Sequence, residues 1–170
     1  HGEALDIGTG PGMIPILLCG RHSSCRVVGV DLSPEMKKLA ESHLTQSLVR
    51  ERVTFQLADA KCLDFLDDRF DAVFSNTILH HIPDPTLFLA EAWRVLKPGG
   101  VLLIRDLFRP KCASDAAFLV EKHAAQESPS SRELFRASLY AALTPEELEK
   151  VALEAGLTSF EVITDSDRHM

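Results

Sequence analysis

Short apolar runs separated by stretches of helical spacing set the strongest limit on how this 170-residue chain folds. The runs Ala4–Ile7, Arg26–Val30, Val53–Leu57, Phe70–Ser75 and Val101–Arg105 are rich in Val, Ile, Leu and Phe, with little polar alternation. Strands of that kind are buried on both faces, as happens when helices cover both sides of a parallel sheet. Phe160–Ile163 is expected as a further strand.

The intervening segments carry helix start signals. Ser33-Pro34 is an N-cap with proline at the first helical position, and Met36, Leu39, Ala40, Leu44 and Leu48 follow as one apolar stripe. Asp84-Pro85 repeats the device ahead of Phe88, Ala92 and Val95, and Lys97-Pro98-Gly99-Gly100 stops that helix before the fifth strand. Thr144-Pro145-Glu146-Glu147 is a capping box, with Gly156 marking the far end of its helix. Residues 113–143 break the alternation. They are expected as two helices, Asp115–Gln126 and Arg132–Ala142, joined by the stretch Ser128–Ser131. An insertion after the fifth strand falls near the carboxyl ends of the strands, where open α/β sheets bind ligands. It reads equally as a substrate lid or as a packing or dimer surface.

The chain is expected to be one domain over 1–170, with a cofactor-binding core at 1–105, the insertion at 113–143, and a helix and strand at 144–170. Both ends read as cut, since His1-Gly2 enters the first strand almost at once and Met170 follows closely on the last. A net charge of -7 disfavours nucleic acid and anionic membranes as partners. Cys19, Cys25, Cys62 and Cys112 form no metal-ligand spacing, so no metal is expected. Reduced thiols and the lack of a spanning apolar run suit a cytoplasmic protein.

Asp6-Ile7-Gly8-Thr9-Gly10-Pro11-Gly12 is a strand running into a glycine loop and then a helix. Glycines suit a sharp turn whose backbone lies against a ligand without Cβ atoms between them. A dinucleotide loop wants a further glycine where Met13 stands. Asp31 ends the second strand, where a carboxylate accepts hydrogen bonds from ribose hydroxyls or favours the dipole of the next helix.

In this order the motifs resemble those of the class I S-adenosylmethionine-dependent methyltransferases. Asp6–Gly12 is similar to the family's D-x-G-x-G-x-G loop, and Asp31 to its acidic ribose position. Ala58-Asp59-Ala60 resembles the adenine segment, Phe70–Asn76 the fourth-strand motif, and Leu96–Leu102 the turn into the fifth strand. The resemblance implies an α/β fold: a three-layer α/β/α Rossmann-like sandwich with a mostly parallel sheet and a helical insertion after the fifth strand. Whether the last strand of such a sheet lies within this stretch stays open.

It also implies S-adenosyl-L-methionine as cofactor. Gly8, Thr9, Gly10 and Gly12, with Asp6 before them, would form the loop against its methionine part. Asp31 would take the ribose, Leu32 the ring face, Asp59 the adenine amine, and Ala60 would be a backbone neighbour. The segment from Ser75 to His81 resembles the S-N-x-x-L-H-H of enzymes acting on small molecules and lipid-like acceptors. Asn76 is expected at the methyl-transfer end and His80 as a candidate base, with at most one of His80 and His81 facing the pocket. A sulfonium methyl is already activated, so alignment supplies on the order of 7–11 kcal/mol in favourable systems, and a base is needed only where the acceptor loses a proton.

Arg105-Asp106 reads as an acceptor grip or an ion pair, while Tyr140, His123 and Arg132 matter only to a lid. The expected partner is a small-molecule methyl acceptor with an O, N or C nucleophile; a homodimer is compatible with the sequence. The alternatives are a nicotinamide-dependent oxidoreductase and a non-catalytic S-adenosylmethionine-binding module.

Overall fold

A computed structural model describes residues 2–170; His1 lies outside the described residues. Two compact units are present. The first comprises the chain up to Asn76 together with Leu87–Ile104, and the second comprises Thr77–Thr86 and Arg105–Met170.

The first unit is built on strands β1 (Gly2–Ile7), β2 (Cys25–Asp31), β3 (Val53–Leu57), β4 (Phe70–Asn76) and β5 (Leu96–Arg105), in the order β3-β2-β1-β4-β5. The β1–β2, β1–β4 and β2–β3 ladders are parallel, with Asp6 opposite Gly29 and Asp31 opposite Leu57. Helices α1 (Met13–Arg21) and α2 (Pro34–Thr45) connect β1 to β2 and β2 to β3, and α3 (Pro85–Val95) connects β4 to β5. Crossovers between parallel strands are right-handed. Progress from β1 toward β3 therefore places α1 and α2 on one face, and progress the other way, from β4 to β5, places α3 on the opposite face. The result is three layers.

Burial follows the apolar runs. Leu5, Ile7, Val27, Val30, Val53 and Val73 are fully buried, as expected of strands covered on both sides. Ser33 caps α2 by accepting from the Met36 amide, with Pro34 behind it. The apolar stripe on α2 is only partly realised. Ala40 is buried, but the helix stops at Thr45 and Leu48 is fully exposed. Strand β5 starts at Leu96, earlier than the expected Val101, and the glycine turn survives within it as Gly99 at φ +78°.

The second unit contains the short 3-10 turn Leu79–His81 and helices α4 (Ala113–Ala124), α5 (Pro129–Ala141) and α6 (Pro145–Glu154). Leu107, Leu119, Val120, Leu139 and Ala142 form its core. The Ser/Pro stretch proves to be the first turn of α5, because Ser128 accepts from the Ser131 amide and Pro129 takes the first helical position. Helix α6 carries the full capping box between Thr144 and Glu147. Phe160–Ile163 is not a strand. A strand needs a neighbour for its backbone groups; this segment enters no ladder, and Phe160 and Ile163 stay exposed. The extended pairing instead falls at the chain end, where Leu107 bridges His169 in antiparallel fashion.

Candidate functional site

In the first unit the turn after β1 is held from below by β2. The amides of Gly8 and Thr9 both donate to the Val30 carbonyl, at 2.8 and 2.9 Å, and the Gly10 amide donates to Asp31 Oδ2 at 2.8 Å. The Ser33 amide donates to Asp31 Oδ1 at 2.9 Å. One carboxylate thus ties the glycine loop to the start of α2. With roughly four acceptor positions on an ionised carboxylate, it keeps capacity for further donors.

Gly8, Gly10 and Gly12 all have positive φ, at 75°, 53° and 75°. Their surroundings differ. A Cβ on Gly10 would meet nothing within 4 Å, so space lies open beside the loop there. A Cβ on Gly12 would fall 2.4 Å from Phe55 Cζ, so this glycine makes room for a packed ring from β3.

Asp6 lies beneath the loop, 1% exposed, and accepts from the Thr9 hydroxyl at 2.8 Å. Burial is the main cause that pushes its carboxyl up to about 7; the Thr9 hydrogen bond opposes the rise and Asp31 adds to it. At the carboxyl ends of β2 and β3, Leu32 and Leu57 are well exposed and offer apolar surface beside Asp31. The Ala58 amide donates to the Asp31 carbonyl at 3.0 Å, bringing the third-strand segment to the same sheet end. Asp59, two residues past β3, accepts from the Lys61 ammonium and amide, and these hydrogen bonds hold its carboxyl below the usual range. Ala60 follows it in the same turn, and Asn76 is the last residue of β4.

The second unit holds a cavity of about 450 Å³. Within it, the imidazole of His80 donates from Nδ1 to Asp106 Oδ1 at 2.6 Å. Asp106 also accepts from the amides of His80 and Leu107, at 3.2 and 2.6 Å, and both side chains of the pair are almost wholly buried. Fixing Nδ1 as the donor leaves Nε2 as the basic nitrogen of a neutral ring. Against expectation, His80 and His81 both line the cavity, with ring centroids 4.0 Å apart. Partial burial is the main cause that lowers the His81 imidazole below its usual range, and neighbouring His80 adds to it. Thr77, also on the wall, has φ 63°, a conformation rare for a β-branched residue and frequent at functional sites.

Arg105 and Asp106 do not pair with one another. Arg105 binds Asp165 at 2.7 Å, while Asp106 serves His80. Of the insertion candidates, His123 lines the cavity and contacts Asp167. Arg132 pairs with Glu121, and Tyr140 is half exposed outside the lining. Sequence reasoning passed over Thr77, Arg168 and His169, all of them on the cavity wall. Thr77 lies inside the Ser75–His81 segment at an unspecified position of its motif, and for Arg168 and His169 the one signal is the polar Asp-Arg-His run at 167–169, which has no spacing that identifies a site. Among the described residues no group of three or more His, Cys, Asp or Glu is placed to hold a metal. No helix among them is long and apolar enough to cross a membrane.

A family model described as "Methyltransferase domain" matches residues 5–104. A ubiquinone/menaquinone biosynthesis C-methyltransferase of Geotalea daltonii is 32% identical over 124 residues, covering 72% of this chain and 50% of the relative. The erythromycin 3''-O-methyltransferase of Saccharopolyspora erythraea is 36% identical over 105 residues, covering 62% of this chain and 34% of the relative. Among solved structures, Haemonchus contortus phosphoethanolamine N-methyltransferase 2 in complex with S-adenosyl-L-methionine superimposes with a TM-score of 0.69 at 28% identity. It covers 91% of this chain and 32% of that one. The chain spans half or less of the length of these relatives.

Proposed function

The chain belongs to the class I S-adenosylmethionine-dependent methyltransferases, and on that premise we propose that it methylates a hydroxyl oxygen of a small molecule. The observation that carries the reading is the clasp of Asp31 on the Gly10 amide at the end of β2. It sets an acceptor-rich carboxylate beside open space at Gly10 and exposed apolar surface at Leu32 and Leu57. Ribose hydroxyls, a methionine backbone and an adenine face need those three surfaces, so the residues present fit S-adenosylmethionine. Asp59 and Ala60 would flank the adenine, Gly8, Thr9 and Gly12 would complete the loop, and Asp6 would hold Thr9 from below. Asn76, at the end of β4, would meet the methyl-transfer end.

Bound there, S-adenosylmethionine supplies a sulfonium-activated methyl group for direct displacement. The chain's own contribution to the acceptor is proton removal. His80, with Nδ1 fixed on Asp106, would take a proton from an acceptor hydroxyl on Nε2, and Asp106 would steady the resulting imidazolium without accepting the proton itself. A hydroxyl is favoured because it gains from such a base, and because one relative is named as an O-methyltransferase. Residues of α4 and α5 wall the cavity, which supports a role for the insertion in acceptor binding. A cytoplasmic setting without nucleic-acid partners belongs to the same reading, supported by four free cysteines and a net charge of -7.

Calorimetry with S-adenosylmethionine, S-adenosylhomocysteine and NAD tests the assignment. Saturable binding of the two sulfur compounds and none of NAD is expected. Binding of NAD with no response to either sulfur compound would overturn it.

A further inference from the structure

Arg168 is the unexplained group in the second unit. Its Nη1 is buried and has no hydrogen-bond partner among the described residues, and the residue lines the same cavity as His80. A buried guanidinium nitrogen without an acceptor is costly, because the group has lost water and gained nothing in exchange.

The position of Arg168 is fixed on both sides. Its neighbour Asp167 is gripped by Lys122 at 2.7 Å and His123 at 2.9 Å, both near the end of α4. Beyond it, His169 bridges Leu107, and the Arg168 carbonyl accepts from the Phe108 amide at 3.0 Å. The backbone is thus pinned where the side chain reaches the cavity.

We infer that Arg168 anchors the carboxylate of a small hydroxy acid bound in this cavity. This inference rests on the methyltransferase reading above. A carboxylate suits the surroundings better than a phosphate dianion. The wall adds an acidic side chain, Glu127, and its His123 is already engaged by Asp167. Burial lowers the His169 imidazole, as do Arg105 and Arg168, so that ring adds no second positive charge near neutral pH. One fixed cation matches one negative charge, and the planar guanidinium matches a planar carboxylate. Leu107, Ala124 and Phe135 supply an apolar wall for the body of such a molecule. The volume of about 450 Å³ falls in the range of roughly 300–1,000 Å³ found for small-molecule pockets.

The test uses 4-hydroxybenzoate, its uncharged counterpart 4-hydroxybenzamide, and phenyl phosphate, each titrated into the wild-type chain while the ring resonances of His81, His123 and His169 are followed by NMR. The benzoate is expected to shift these resonances and to bind about 10- to 100-fold more tightly than the amide, the range for loss of a charged hydrogen bond. Arg168→Gln is expected to abolish that preference, and Arg168→Lys to keep part of it. Equal binding of benzoate and amide, a preference for phenyl phosphate, or no binding of the benzoate overturns the inference. These comparisons stand on the wild-type chain even if the Gln variant fails to fold. Calorimetry with S-adenosylhomocysteine on the same sample reads the underlying assignment separately. Carboxylate preference without S-adenosylhomocysteine binding removes the methyltransferase reading and leaves the anion pocket. The reverse result removes only the pocket.

Discussion

Asp6 shows how one buried side chain ties loop geometry to pH. Its carboxyl, raised to about 7 chiefly by burial, stays protonated in the folded chain at pH values where the unfolded chain has released the proton. The folded state therefore binds more protons between about pH 4 and pH 7, and stability falls as pH rises through that window. The cost approaches roughly 4 kcal/mol by pH 8. Asp6→Asn keeps an acceptor for the Thr9 hydroxyl but cannot ionise. Denaturant unfolding at pH 5, 6.5 and 8 is expected to show the wild type losing stability relative to the variant across the series. His81 and His169, whose imidazoles are lowered, act in the opposite sense in both proteins and cancel in the difference. Parallel curves would show that Asp6 ionises freely. Asp31→Ala acts on the ligand side. It removes the acceptor of the Gly10 and Ser33 amides and should weaken S-adenosylhomocysteine binding by about 1–3 kcal/mol. An unchanged affinity in calorimetry takes Asp31 out of the cofactor site.

Among elements, the close approach of β2, β3 and the glycine loop turns on one ring. Phe55 on β3 sits 2.7 Å from where a Cβ on Gly29 would lie and 2.4 Å from one on Gly12, with the Thr9 hydroxyl also 2.7 Å from the Gly29 position. Gly29→Ala should therefore overpack the sheet end and cost about 1–3 kcal/mol. In a Phe55→Leu background that cost should shrink, a coupling of roughly 0.5–3 kcal/mol typical of residues in contact; strict additivity in denaturant unfolding would deny the contact. From sequence, glycines in the loop mean close approach to a ligand. Gly10 faces open space where a ligand could come, whereas Gly12 answers to packing that no local pattern reveals. The segment after β5 meets the turn at 79–81 through Asp106 and His80. Asp106→Asn removes the negative charge that would steady an imidazolium on His80, while its amide oxygen can still accept from Nδ1 and from the Leu107 amide. Once a substrate is in hand, kcat should drop on the order of 10²–10⁴-fold with a flattened pH profile and an unchanged KM for S-adenosylmethionine. Loss of activity with the pH profile preserved would mean that Asp106 only supports the fold.

For the molecule as a whole, what could be read in advance divides along the two units. The first was legible because its strands are continuous apolar runs, its caps are local and its loop is contiguous over Asp6–Gly12. The wall of the second unit's cavity gathers Thr77–His81, Leu107, His123–Ser138 and Arg168–His169, segments far apart in the chain with no shared spacing. Ligand protection should follow the same division. S-adenosylhomocysteine at a hundredfold excess over its Kd stabilises any chain that binds it only when folded by about 2.7 kcal/mol, so a melting shift alone says nothing about place. Hydrogen exchange does. The amides of Gly8, Thr9, Gly10 and Ser33 already donate within the Val30 and Asp31 cluster, and a ligand seated there hinders the local openings through which they exchange. Added slowing at residues 8–12 and 31–33 beyond the uniform gain is expected. A uniform gain without that local excess would place S-adenosylhomocysteine elsewhere on the chain, and Asp31 would then be no more than the brace of its own loop.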